Sequence, residues 1–211
     1  MTAPTSLDFL LQPQDCALVL LDHQAGLALA VGSTDRQVLH DSTVALVKTA
    51  LAFGVPIVAC TSATKVYSGP LMPALRELVP ASAIVDRRSM NAWEDGASRA
   101  AIEATGRRKL LFSGMLTEAC VTLPVLCAQA AGYESYVVAD ACGGLTTVGH
   151  EMALRRMSAA GATMTSWLQV LLELQRDWTR HDTYDAARAI VETHGGGYGI
   201  GLKYARDMLP H

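Results

Sequence analysis

Two side chains able to do chemistry stand just past short apolar runs, where a sheet opens toward ligand: Asp22, after CALVLL, and Cys120, in GMLTEACVTLP. A carboxylate at the end of a buried strand is costly unless water or a partner meets it, so Asp22 is either a loop cap or half of a reacting pair. Cys120 lies where an apolar strand ending at Gly114 gives way to a helix of small and apolar residues. A thiol at a helix N-terminus feels the positive end of the dipole and several unpaired N–H groups, which favour thiolate and can also face a developing oxyanion. An inert core thiol is the competing reading for an isolated cysteine. Cys16, Cys60 and Cys127 keep that reading, since each sits inside an apolar strand or helix.

The elements that position these residues alternate regularly. Residues 16–21 read as a first strand buried on both faces, 36–53 as a helix closed by Gly54, and 56–60 as a second strand. Residues 67–80, broken by Gly69, Pro70, Pro73 and Pro80, read as a short helix or irregular loop, and 83–85 as a weak third strand. There follow a helix over 94–105, a strand over 109–113, a helix over 117–131 stopped by Gly132, and a strand over 135–139. A helix over 150–160, a short strand over 162–165 and a helix over 167–175 complete the series. Repeated strand–helix units favour a parallel sheet with right-handed crossovers and helices on both faces, with ligands beyond the carboxyl ends of the strands. Residues 1–175 are expected to form one α/β domain. Residues 176–211, with an amphipathic stretch at 184–193 and then a flexible HGGGYGIG, read as an extension packed on the core or on a neighbouring subunit. Exposed apolar positions among Leu171, Leu172 and Leu174 fit the same use.

Composition narrows the classes. The chain has 211 residues, 50% of them hydrophobic, and a net charge of −3 without runs of like charge, so neither a nucleic-acid face nor a disordered chain is indicated. The first residues lack a charged start and an unbroken apolar stretch, and no segment is apolar enough to span a membrane. Five cysteines without zinc spacing fit free thiols in a reducing compartment, and a cytoplasmic location is expected.

Four segments in order, ALVLLDHQAGL, RRSMNAWED, SGMLTEACVTLPVLCAQAAGYESYVVADACG and RMSAAGATMTSW, resemble the isochorismatase-like cysteine hydrolases, and within them the YcaC-like branch. The resemblance implies a three-layer αβα sandwich with a six-stranded parallel sheet, Rossmann-like in plan. It further implies a catalytic set of Asp22, Arg87 and Cys120. Arg87 stands where most of the superfamily has Lys; Arg88 is the alternative if the loop is shifted by one residue. Since Arg stays charged, it stabilises negative charge and leaves proton transfer to Asp22.

By the same resemblance a non-proline cis peptide joins Leu116 to Thr117, and backbone N–H groups there and at Ala119 and Cys120 form an oxyanion hole. Gln24, Asn91 and Trp93 are expected to line the substrate pocket. No metal and no cofactor is expected, because CTSATKVYSG after the second strand lacks the histidine of a nicotinamidase zinc site. His23 is read as a packing or hydrogen-bonding residue. The expected activity is hydrolysis of a small amide, a related C–N substrate or an ester through a thioester on Cys120. The rival is a non-catalytic protein that binds a metabolite or senses oxidants, with Cys142 as the resolving thiol. The partners implied are a small-molecule substrate and other copies of the chain, an octamer being the size the branch suggests, with no nucleic acid and no membrane.

Overall fold

The computed structural model describes residues 9–209; residues 1–8 and 210–211, including His211 and the start of the chain, lie outside the described residues. Six strands form one sheet: β1 (Cys16–Leu21), β2 (Ile57–Ser62), β3 (Ile84–Arg87), β4 (Lys109–Met115), β5 (Glu134–Gly143) and β6 (Thr163–Thr165). Their order is β3-β2-β1-β4-β5-β6 and every pairing is parallel. Helices fill the connections: α1 (Ala25–Ala30), α2 (Arg36–Ala52), α3 (Pro73–Leu78), α4 (Gly96–Ala104), α5 (Thr122–Ala130), α6 (Thr147–Ala159), α7 (Trp167–Gln175), α8 (His181–His194) and α9 (Gly196–Met208). The fold is the expected αβα sandwich on a six-stranded parallel sheet. Among the described residues no helix is long and apolar enough to cross a membrane.

The layers follow from the two-residue period of a strand. In β1, Cys16, Leu18 and Leu20 enter a core with α2, α3, α7 and α8, while Ala17, Val19 and Leu21 enter a second core with α4, α5 and α6. β4 divides likewise, sending Leu111 and Met115 to the first core and Leu110 and Phe112 to the second. Burying each large apolar side chain contributes about 2 kcal/mol. That is why these strands read as continuous apolar runs rather than alternating ones.

Three boundaries differ from the sequence expectation in ways that matter. β3 runs on to Arg87, so this arginine is the last residue of a strand. β5 extends through Gly143, because after an irregularity it pairs again with the end of β4. HGGGYGIG is not a flexible tail: it opens α9, and a Cβ on Gly199 would stand 2.2 Å from the Val191 carbonyl, so the glycine permits close approach of α8 and α9.

Leu171 and Leu174 are not exposed; they are fully buried in the first core with Val170, and Leu172 packs against it half-buried. α8 adds Ala187, Ile190 and Val191 to that same core.

Candidate active site

The strand order reverses on either side of β1, which is flanked by β2 and β4. Crevices at such switch points, beyond the carboxyl ends of the strands, are where α/β sheets bind ligands. Asp22 follows β1, Arg87 ends β3, and Cys120 lies in a π-turn (Thr117–Val121) between β4 and α5.

Asp22 leaves the strand conformation with φ +56°, a left-handed setting that costs a non-glycine residue about 1–2 kcal/mol. Its N–H still donates to Cys60 O at 2.9 Å, and its carbonyl accepts from Gln24 N–H at 2.7 Å, closing a tight turn centred on His23. The turn delivers the carboxylate to Arg87, whose Nη1 and Nη2 donate to Oδ1 at 2.5 Å and Oδ2 at 2.7 Å. Nη2 also donates to Met90 O at 3.0 Å, and both charged side chains are fully buried. Burial opposes the charge on the guanidinium, but the hydrogen bonds and charge of Asp22 outweigh it and raise the Arg87 pKa. Arg87 therefore remains a fixed cation; Arg88, the alternative, is exposed.

The Cys120 thiol lies close enough to the Asp22 carboxylate for that carboxylate to oppose its ionisation. Sequence reasoning expected the helix start to favour thiolate. Instead the thiol is pushed up to about 12, by burial first and by the Asp22 charge and hydrogen bond next, against weaker opposition from the Leu116 N–H and Arg87. Desolvation and a neighbouring anion outweigh one turn of backbone dipoles. The resting sulfur thus carries its proton, with the Asp22 carboxylate beside it.

The turn before Cys120 also differs from expectation. The cis peptide joins Met115 to Leu116, one residue earlier than expected. β4 keeps its pairing through Met115, opposite Gly143, so the chain changes direction at that bond. The Leu116 backbone, which belongs to this peptide, is near enough to the sulfur to favour its ionisation slightly. The Ala119 N–H is already donated to Leu116 O at 3.1 Å, which removes it from the expected oxyanion donors.

The three expected pocket residues are committed inside the chain. Gln24 donates to the carbonyls of Ser62 and Gly69 and accepts from Ser62 N–H at 2.9 Å, so it staples the loop after β2. Asn91 Oδ1 accepts from Trp93 N–H at 3.0 Å and its Nδ2 faces Cys127 Sγ at 3.4 Å. Trp93 packs edge-on against Tyr133, with ring centroids 5.3 Å apart. The polar side-chain atoms of Gln24 and Asn91 are thus engaged within the chain.

Sequence reasoning passed over a second set that ties the Thr117–Val121 turn to α6 and the loop before it. Thr117 Oγ1 is 2.9 Å from His150 Nδ1, and Glu118 Oε1 accepts from Leu145 N–H at 2.9 Å. A Cβ on Gly149 would lie 2.5 Å from the Glu118 carboxylate, so the glycine makes room for it. The spacing of His150 and Gly149 three helical residues into α6 offered no signal by itself.

The isochorismatase domain model matches residues 16–169. The chain is 36% identical over 169 residues to the probable hydrolase YcaC of Escherichia coli (strain K12), covering 80% of this chain and 81% of that protein. It superimposes on the crystal structure of the Escherichia coli YcaC gene product, described as an octameric hydrolase of unknown specificity, with TM-score 0.91 and 33% identity, over 99% of this chain and 100% of that one. It also matches YcaC from Pseudomonas aeruginosa, solved with hexane-2,5-diol and covalent acrylamide, with TM-score 0.89 and 32% identity, over 96% and 98%. The chain belongs to the isochorismatase family of hydrolases and, within that family, is similar to YcaC.

Proposed function

We propose that the chain hydrolyses a small amide, a related C–N substrate or an ester through a thioester on Cys120. The observation that carries the reading is the placement itself, a half-buried thiol beside a carboxylate that a guanidinium grips with two bonds. As the sulfur forms its bond to the substrate carbonyl carbon, its proton passes to Asp22 and the carbonyl π electrons move to oxygen. A thiol at about 12 is a poor source of free thiolate, so proton transfer accompanies attack rather than preceding it. N–H groups of the Thr117–Val121 turn are suited to receive the oxyanion. The oxyanion collapses, the C–N or C–O bond breaks, and Asp22 returns the proton to the leaving group. Water then gives a proton to Asp22 and its oxygen to the thioester carbon, and the carboxylic acid and Cys120 thiol are released. Arg87 stays positive throughout and keeps the carboxylate aligned; it shuttles no proton.

The covalent acrylamide carried by the Pseudomonas aeruginosa relative supports a reactive group in this fold toward small electrophilic amides. The oxidant-sensing reading is less favoured. Cys142, its resolving thiol, is buried in β5 and pushed up to about 12, and five free cysteines fit a reducing, cytoplasmic setting equally under either reading. By similarity to the octameric relative, a homo-oligomer is the proposed assembly.

The test is a panel of small amides, carbamates and activated esters. Cys120→Ala should abolish turnover with the fold retained, and Asp22→Asn should slow it about 10²–10⁴-fold, since an amide accepts no proton at neutral pH. Full activity in the alanine variant would end the thioester mechanism.

A further inference from the structure

His23 follows the proposed proton acceptor, yet the reaction above gives it no part. Its ring is completely buried, and burial pushes it down to about 3, so it is neutral. Nε2 lies 2.7 Å from Ser113 Oγ on β4, and that hydroxyl donates to Ala141 O on β5 at 3.0 Å. The single hydroxyl proton being spent on Ala141, Ser113 Oγ accepts from His23, which fixes the Nε2–H tautomer. Nδ1 is then an acceptor, buried without a partner among the described residues.

The relay spans the ends of three adjacent strands at the place where their ladder fails. Between β4 and β5 the register jumps from Phe112–Val137 to Gly114–Cys142, so β5 carries surplus residues opposite Ser113. The Ser113 hydroxyl bridges that irregularity. On the other side, His23 is the centre of the turn that sets Asp22 in its left-handed conformation, and its carbonyl accepts from Met72 N–H at 2.9 Å. Asp22 emerges from β1 and Cys120 from β4, and the ring ties the two strand ends together.

We infer that His23 is a positioning residue that, through Ser113, holds the Asp22 carboxylate in line with the Cys120 sulfur. The inference rests on the reading of Asp22 and Cys120 as a proton-transfer pair. It predicts a coupling that runs through Asp22: losing the ring's N–H frees the sulfur from the carboxylate that opposes its ionisation, an effect that vanishes once Asp22 is replaced.

The test is the pH dependence of Cys120 alkylation by iodoacetamide on the intact protein, followed by peptide mass spectrometry with Cys127 as internal reference. The Asp22→Asn midpoint marks the value without the carboxylate. His23→Ala should lower the midpoint by about one pH unit or more toward that value. His23→Gln, which keeps a donor near Nε2, should restore it. Ser113→Ala should act like His23→Ala, with no further change when the two are combined, and it carries the test if His23→Ala does not fold. General loosening would also lower the midpoint by letting water reach the sulfur, but it would do so in the Asp22→Asn background too, where His23→Ala should leave the midpoint in place. An unchanged midpoint in folded His23→Ala or Ser113→Ala, or no restoration by Gln, overturns the inference. If instead the unsubstituted protein and Asp22→Asn share one midpoint, the Asp22–Cys120 pairing itself is wrong, and the inference falls with it.

Discussion

The Arg87 guanidinium grips the Asp22 carboxylate with two hydrogen bonds, of 2.5 and 2.7 Å, one from each terminal nitrogen to each oxygen, across the space between the ends of β3 and β1. Both charges are fully buried, so neither is tolerable without the other. Arg87→Ala is expected to destabilise the fold by about 3–5 kcal/mol, since it strands a buried anion. Arg87→Lys keeps the charge but loses the parallel pair of bonds, and a smaller loss of about 1–2 kcal/mol is expected. Urea unfolding of the two variants distinguishes these values; equal stability of Arg87→Ala and the unsubstituted protein would mean that the pair is not buried in solution.

Stability should fall in acid, with His23 as a main contributor. Its ordinary value of 6.5 drops to about 3 in the fold, because burial penalises the cation. Between those values the unfolded chain binds a proton that the native chain does not, so stability rises with pH by about 1.4 kcal/mol per unit. The contribution is complete above pH 6.5 and is lost as pH falls toward 3. His150 and His194, both lowered by burial, add in the same direction. Unfolding free energies measured from pH 7 to 4 should show this slope, and His23→Gln should flatten it.

Gly114 has no room for a side chain: a Cβ there would lie 2.3 Å from the Leu21 carbonyl and 2.7 Å from the Leu21 Cβ. Gly114→Ala would push β4 from β1 immediately before Asp22. A loss of about 1–3 kcal/mol is expected from overpacking, together with slower turnover. A thermal melt paired with a rate measurement checks both, and an unaltered rate would show that strand spacing does not set the alignment of Asp22 and Cys120.

Gly199→Ala makes the opposite separation. A Cβ at 2.2 Å from Val191 O should part α9 from α8, raising proteolytic cleavage after His194, while Cys120 reactivity changes less than about threefold. Limited proteolysis and alkylation of the same sample report the two effects.

The sheet was legible because β1, β2, β4 and β5 are buried on both faces and read as bare apolar runs. Asp22 and Cys120 were legible for a related reason, since each follows such a run directly or by one turn. Arg87 needed the family resemblance, as β3 is short and only partly buried. The protonated state of Cys120 was not legible: it depends first on burial and then on a carboxylate distant in sequence, which together outweigh the local helix start. Gln24, Asn91 and Trp93 were placed by motif, but their hydrogen-bond partners come from Ser62, Gly69 and Cys127, which no local pattern announces. The glycine-rich start of α9 was misread because glycine usually signals freedom, whereas Gly199 serves a tight helix contact.

The most direct measurement is mass spectrometry of the intact protein quenched in acid during turnover of a pooled set of small amides, carbamates and activated esters, with peptide mapping of any adduct. The expected result is an acyl group on Cys120 that vanishes in Cys120→Ala and decays as the acid product appears. Turnover with no adduct on Cys120, or turnover that persists in Cys120→Ala, would contradict the thioester reading.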